Sequence, residues 1–205
     1  LVLMMAVALF AACATIEVTA VWKDGSYQGK PTKVFVYAIL KNQTNRRIAE
    51  DEFVNHFKSR GIDAVPSYTV LPGSEPVKKE VLDEKLKAQG FDTLLLTQLT
   101  GSKKEQVQVP GMLTYQPMYQ GMYQPAPYYR TWPGYYNSGY TAIYSPSYTT
   151  EEEYVMAEAD IYDVATEKLI WTAVTETRIG GKVDKMIKTY VAVIMKEMRK
   201  QKLLP

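Results

Sequence analysis

The alternation of apolar and polar positions along the chain changes period in blocks, and each block predicts an element. Residues 15–21 alternate as a strand, with Ile16, Val18 and Ala20 on one face, and Asp24-Gly25-Ser26 turns the chain. Residues 33–40 (KVFVYAIL) are apolar nearly throughout and rich in β-formers, the pattern of a strand covered on both faces. Asn42-Gln43-Thr44-Asn45 offers N-caps for a helix over 46–60, which Gly61 ends. Ala49, Phe53 and Phe57 recur there every four residues, and Ile48 and Val54 widen the buried face. Residues 62–65 read as a short strand stopped by Pro66. A helix over 77–89 turns Val81, Leu82 and Leu86 inward and ends at Gly90, and residues 91–99, with Leu94-Leu95-Leu96, read as a second doubly covered strand. Strands over 154–164 and 168–177 follow later, joined by the turn Asp163-Val164-Ala165-Thr166-Glu167. Gly180-Gly181 then leads into a helix over 183–200. Its apolar positions Val183, Ile187, Tyr190, Ile194 and Met198 form the strongest helical repeat in the chain, and Ile187, Tyr190 and Ile194 are expected to be buried with Phe53 and Leu95.

Together the elements predict one α/β domain, a mixed β-sheet with three helices in the order β-β-α-β-α-β-[Tyr-rich insert]-β-β-α. Its parts are residues 13–109 and 151–205, with the insert over 110–150 between them and a signal segment over 1–12. Without the insert roughly 140 residues remain, enough for one substantial core.

Composition changes the picture in the insert. Residues 110–150 hold ten of the sixteen tyrosines, six prolines, four glycines and no acidic residue. Tyr115, Tyr119 and Tyr123 repeat with period four, and Tyr128, Tyr129, Trp132, Tyr135 and Tyr136 follow. Prolines keep such a chain extended and out of a central strand. Tyrosine offers a flat apolar ring and a hydroxyl at low entropic cost, which suits sugar faces, peptides or another copy of itself. These eight aromatic residues are the candidate partner-binding set. The alternatives are an extension of a hairpin with no partner of its own, or a cover for a sheet edge.

Charge narrows the partners. A formal net charge of +2 with no basic stripe gives no electrostatic case for nucleic acid. The basic end of the last helix, Lys196, Arg199, Lys200 and Lys202, complements the helix dipole as a solvated terminus.

The single cysteine, Cys13, follows twelve uncharged, almost wholly apolar residues and directly follows Ala11 and Ala12. Such a stretch is a secretory apolar region with a cleavage site, too short to span a bilayer. Ending on cysteine, Leu9-Phe10-Ala11-Ala12-Cys13 resembles a bacterial lipoprotein signal. The resemblance implies that the thiol takes a diacylglyceryl group, that cleavage leaves Cys13 first, and that its new amino group is acylated. Two or three chains anchor a protein stably where one does not. It also implies a place in the cell envelope, with Ala14 after the cysteine pointing to the periplasmic face of the outer membrane.

Three further segments carry a likeness: Lys33-Val-Phe-Val-Tyr-Ala with the helix to Gly61 and Ile62-Asp-Ala-Val-Pro66; Leu86-Lys-Ala-Gln-Gly-Phe-Asp-Thr-Leu-Leu-Leu-Thr97; and Ile161-Tyr-Asp-Val-Ala-Thr-Glu-Lys-Leu-Ile-Trp171. They resemble an uncharacterised family of bacterial lipoproteins with a domain of unknown function and a Tyr/Gly-rich middle. More distantly they are similar to the α/β domain of penicillin-binding-protein activator lipoproteins, the curli secretion lipoprotein and the TolB amino-terminal domain. The family's last hairpin has glycine where this chain has Glu167, which predicts a different turn. The resemblance brings no catalytic set.

The residues themselves show little chemistry. His56, the only histidine, borders the apolar face of its helix with no nucleophile–base arrangement nearby. One histidine and an acylated cysteine cannot fill a tetrahedral shell, so no metal centre is expected, and no cofactor motif is present. Glu151-Glu152-Glu153 reads as a solvated run, and Asp163 as a side-chain cap of its own turn. The expectation is a non-enzymatic, lipid-anchored envelope protein that binds a protein or polysaccharide partner, helps an envelope assembly, or associates with copies of itself. The alternative is a lipid-tethered enzyme acting on envelope material beside the Tyr-rich insert.

Overall fold

The computed structural model describes residues 16–71, 78–117 and 140–204. In chain order the elements are β1 (Ile16–Lys23), β2 (Lys33–Ile39), α1 (Gln43–Lys58), β3 (Asp63–Pro66), α2 (Ser67–Val70) and α3 (Lys79–Ala88). They continue with β4 (Thr93–Val109), β5 (Met112–Pro117), β6 (Tyr140–Ser145), β7 (Tyr148–Asp163), β8 (Leu169–Arg178) and a last helix α4 (Val183–Lys200). The expected order is present, with two additions: the one-turn helix α2 and the hairpin β5–β6. The described residues divide into two compact units, one running up to Lys103 and resuming at Glu153, the other Lys104–Glu152. Among the described residues no helix is long and apolar enough to cross a membrane.

In the first unit six strands form one mixed sheet in the order β1-β8-β7-β4-β2-β3. β2 pairs in parallel with β3 and β4, whereas β8 pairs antiparallel with β1 and β7. Strand β2 shows why its sequence is apolar throughout. Val34 and Val36 face a core with Phe53 and Phe57 of α1 and Ile194, Met195 and Met198 of α4. Phe35, one residue out of phase, joins Leu86 of α3, Phe91 and Leu94 on the opposite face, with the Phe35 and Phe91 rings 5.1 Å apart, edge to face.

Several expectations need correction. Val81 is not turned inward: it is 40% exposed, and α3 uses Leu82 and Leu86, four residues apart, as its apolar contact. Ala20 does not share a face with Val18. A bulge shifts the register between them, so Val18 lies opposite Thr175 and Ala20 opposite Val174, and Val21 takes the place in the core. The β4 strand runs on to Val109 and β7 begins at Tyr148, because alternation such as Gln106-Val107-Gln108-Val109 continues the strand period beyond the buried run. In the β7–β8 turn the φ of Glu167 is 57°, the left-handed conformation that glycine adopts without cost, while Asp163 Oδ1 accepts from the Thr166 amide at 2.8 Å as expected.

A buried ionic network explains α2. Glu50 Oε1 accepts from the Ala38 amide at 3.0 Å, Arg46 Nε at 3.0 Å and Ser67 Oγ at 2.6 Å, and Oε2 accepts from the Tyr68 amide at 3.2 Å. Arg46, Glu50 and Ser67 are all buried. With four donors on one carboxylate, the charge is compensated and the segment after β3 is tied to α1 and β2.

In the second unit β5 and β6 pair antiparallel from Met112 opposite Ser145 to Pro117 opposite Tyr140, and Lys104 Nζ meets Glu151 Oε1 at 2.8 Å. Tyr115 lies within β5. Cys13, Tyr119, Tyr123, Tyr128, Tyr129, Trp132, Tyr135 and Tyr136 lie outside the described residues.

Candidate functional site

The apolar stripe of α4 does not go wholly into the core. Ile194 and Met198 are fully buried, Ile187 and Tyr190 only partly, and Val183 is 52% exposed. The amino-terminal half of this stripe therefore forms one wall of an open groove. The opposite wall comes from Leu40, Asn45 and Ala49 at the start of α1. The floor comes from Thr97 and Leu99 of β4, Val155 and Ala157 of β7 and Thr177 of β8, and Ile179 and Gly181 close one end. The groove so formed, all within the first unit, has a volume of about 260 Å³.

Its lining is mostly aliphatic, with Asn45, Gln98 and Thr177 also in it and one buried pair of hydroxyls. Tyr190 Oη lies 2.7 Å from Thr97 Oγ1, and both hydroxyls reach the Glu158 carbonyl, at 3.3 Å and 2.8 Å. Burial holds the Tyr190 phenol well above its ordinary pKa, with the Thr97 hydrogen bond working weakly the other way. The pair is satisfied internally, so the floor presents no stranded donor to an apolar guest. Leu99, at 56%, and Ile179, at 44%, leave an exposed apolar rim. Gly181, with φ of 78°, makes the left-handed turn that swings the chain from β8 into α4.

A second concavity, about 320 Å³, lies between α3 and the sheet, lined by Leu82, Leu86, Leu94, Leu96 and Tyr162. Three carboxylates border it, and each has a partner: Asp83 with Lys87 at 2.8 Å, Glu167 with Lys79 at 2.7 Å, and Asp163 with its own turn. They are not poised for acid–base work. Asp160 is raised from its ordinary value, through burial, and it lines neither concavity. His56 Nε2 lies 3.7 Å from Glu52 Oε1, one turn away on α1. Among the described residues no three His, Cys, Asp or Glu side chains gather to hold a metal.

The structure thus brings together a site that the periodicity of α4 hid. A stripe at helical spacing reads as core, and only the position of α1 shows that half of it is uncovered. The signal available in sequence was the string of small or polar residues, Ala49, Thr97, Ala157 and Thr177, at positions where a packed core would carry larger side chains.

No protein-family model matches the chain, and no curated protein matches it by sequence. Solved structures are similar to it in outline. The PelC dodecamer from Paraburkholderia phytofirmans is 12% identical, with 89% of this chain and 94% of that chain covered and a TM-score of 0.43. Lipoprotein GNA1162 from Neisseria meningitidis is 9% identical over 83% of this chain and 99% of that one, with a TM-score of 0.40. A PDZ domain protein from Parabacteroides distasonis ATCC 8503 is 11% identical over 90% of this chain and 35% of its own, with a TM-score of 0.38. Likeness at this level reaches the arrangement of helices on a sheet and does not transfer a function.

Proposed function

We propose that this chain is an envelope lipoprotein, anchored through Cys13, that works by binding and not by turnover. The observation that supports this is the makeup of its apolar groove: aliphatic walls, one self-satisfied pair of hydroxyls, and no carboxylate or histidine in the lining. Reacting groups need a titratable residue or an activated nucleophile against the substrate, and the titratable group of this lining, the Tyr190 phenol, is raised by burial and engaged with Thr97. Recognition of a polysaccharide or protein partner is assigned to the Tyr-rich segment, whose rings Tyr115, Tyr119, Tyr123, Tyr128, Tyr129, Trp132, Tyr135 and Tyr136 can stack on sugar or peptide faces. The site of action is the periplasmic face of the outer membrane, and association with further copies is part of the same reading.

Two measurements test it. Metabolic labelling with palmitate, followed by membrane fractionation, is expected to show lipid on the intact chain and none on Cys13→Ser, with the variant leaving the membrane fraction. A normally processed Cys13→Ser protein that stays membrane-bound overturns the anchor. Incubation of the purified protein with isolated envelope glycans is expected to give retention without cleavage; new reducing ends or shortened fragments overturn the binding role.

A further inference from the structure

Resting on the lipidated-Cys13 reading, we propose that the apolar groove between α1 and α4 receives one of the acyl chains carried on Cys13 of the same molecule.

The sheet register brings the anchor to the groove. β1 runs antiparallel to β8 with Ile16 opposite Thr177, so the two share the helix-covered face of the sheet. Thr177 is part of the groove floor, and Ile179 and Gly181, next along the chain, are in its lining. Cys13 stands three residues before Ile16, a reach of at most about 10 Å of extended chain. The sulfur and the amino group of Cys13 are therefore within reach of the Thr177 side of the groove.

The lining selects the occupant. Leu99, Ile179 and Val183 form an exposed aliphatic rim, and exposed patches of this kind in a folded protein mark a surface that something covers. A sugar or a polar peptide would lose water from its hydroxyls or amides against a lining that is mostly aliphatic. A hydrocarbon chain loses nothing, and the Thr97–Tyr190 pair, closed on itself and on the Glu158 carbonyl, demands nothing from it. The remaining chains stay in the bilayer, where two suffice for stable anchoring. The amide-linked chain, attached nearest the backbone, is the one assigned to the groove, and its capture draws the Thr177 side of the groove toward the membrane surface.

The test uses the full, lipidated chain made in cells fed a diazirine-bearing fatty acid, placed in phosphatidylethanolamine–phosphatidylglycerol vesicles and irradiated. Intact mass first reports whether Cys13 carries lipid; its absence overturns both the anchor and this inference. With lipid present, peptide mapping is expected to find acyl adducts on Leu99, Val183, Met186 or Ile187. Adducts on phospholipid alone overturn the groove while leaving the anchor standing. Ala157→Trp, which fills the floor, is expected to abolish the protein adducts with lipidation intact. Val183→Asp, at an exposed rim position that does not burden folding, is expected to do the same. Adducts that persist in both variants overturn the proposal. So do adducts that join two protein chains, since they place the acyl chain in a neighbour's groove.

Discussion

Tyr190 of α4 and Thr97 of β4 place their hydroxyl oxygens 2.7 Å apart, and both converge on the carbonyl of Glu158 in β7. The helix is thereby tied to two strands at the one point where its stripe leaves the core. Each hydroxyl lies within hydrogen-bond distance of the carbonyl and of the other hydroxyl.

This arrangement predicts a late-titrating tyrosine. A phenol raised by burial favours the neutral form in the fold, so its stabilising contribution is complete below about pH 10 and is lost as pH climbs beyond that value. Ultraviolet difference titration should show Tyr190 and Tyr68, which is pushed up to about 12 by donating to Asp51, lagging furthest behind the exposed tyrosines, with Tyr27 and Tyr162 also raised by burial. Tyr190→Phe should remove one lagging group and cost about 1 kcal/mol, since Thr97 keeps its acceptor. If Tyr190→Phe leaves the titration unchanged, the phenol is not buried as described.

The Glu50 network predicts an asymmetric response. Glu50→Ala strands the Arg46 guanidinium in the interior and should cost about 3–5 kcal/mol in urea denaturation. The paired replacement Arg46→Met with Glu50→Leu should be milder than the single one, because no uncompensated charge remains. A double variant worse than Glu50→Ala would show that the network holds α2 through its geometry and not through charge balance.

At the β7–β8 turn the prediction has the opposite sign. Glu167 holds φ at 57°, which costs a residue with a side chain roughly 1 kcal/mol relative to glycine. Glu167→Gly should therefore raise the melting temperature, even though the exposed ion pair with Lys79 is lost. Glu167→Ala keeps the strained backbone and loses the pair, so it should not stabilise. Equal effects of the two substitutions would refute the backbone argument.

Core packing is tested by Ile194→Ala, which should cost about 2–5 kcal/mol, since the side chain is fully buried against the sheet. Trp171→Phe should be cheaper than its size suggests. The Trp171 ring is buried and its Nε1–H finds no acceptor among the described residues, so the substitution removes an unmet donor along with the volume.

Replacement of residues 111–147 by a short Gly/Ser turn joins the end of β4 to the start of β7. The first unit, whose core clusters contain none of these residues, should stay folded with a melting temperature within a few degrees. Partner retention should be lost. A folded variant that keeps every interaction would move recognition from the Tyr-rich segment to the α/β unit.

What the sequence shows and what it hides divide along physical lines. Strands β2 and β4 and helices α1 and α4 were legible because each carries an uninterrupted period set by burial: Phe53 and Phe57 on α1, Ile194 and Met198 on α4. The Arg46–Glu50–Ser67 network was not legible, since Ser67 is seventeen residues from Glu50 and only the parallel pairing of β2 with β3 brings them together. Nor was the bulge after Val18, because it arises from pairing with β8 and leaves no mark on the local alternation. The groove was hidden for a third reason. Hydrophobic period records that Val183 and Ile187 face inward, but not whether anything meets them there.

The two edges of the sheet differ from its middle in a way that bears on crowding. At one edge β3 is four residues long and ends on Pro66, which lacks the amide hydrogen that an added strand would use. At the other, β1 is interrupted by its bulge, so its free side does not offer an unbroken ladder of donors and acceptors. Molecules gathered on a lipid surface meet one another far more often than the same number dispersed in a volume. Blunted at both ends, these sheets can tolerate such gathering without fusing strand to strand into a continuous fibre.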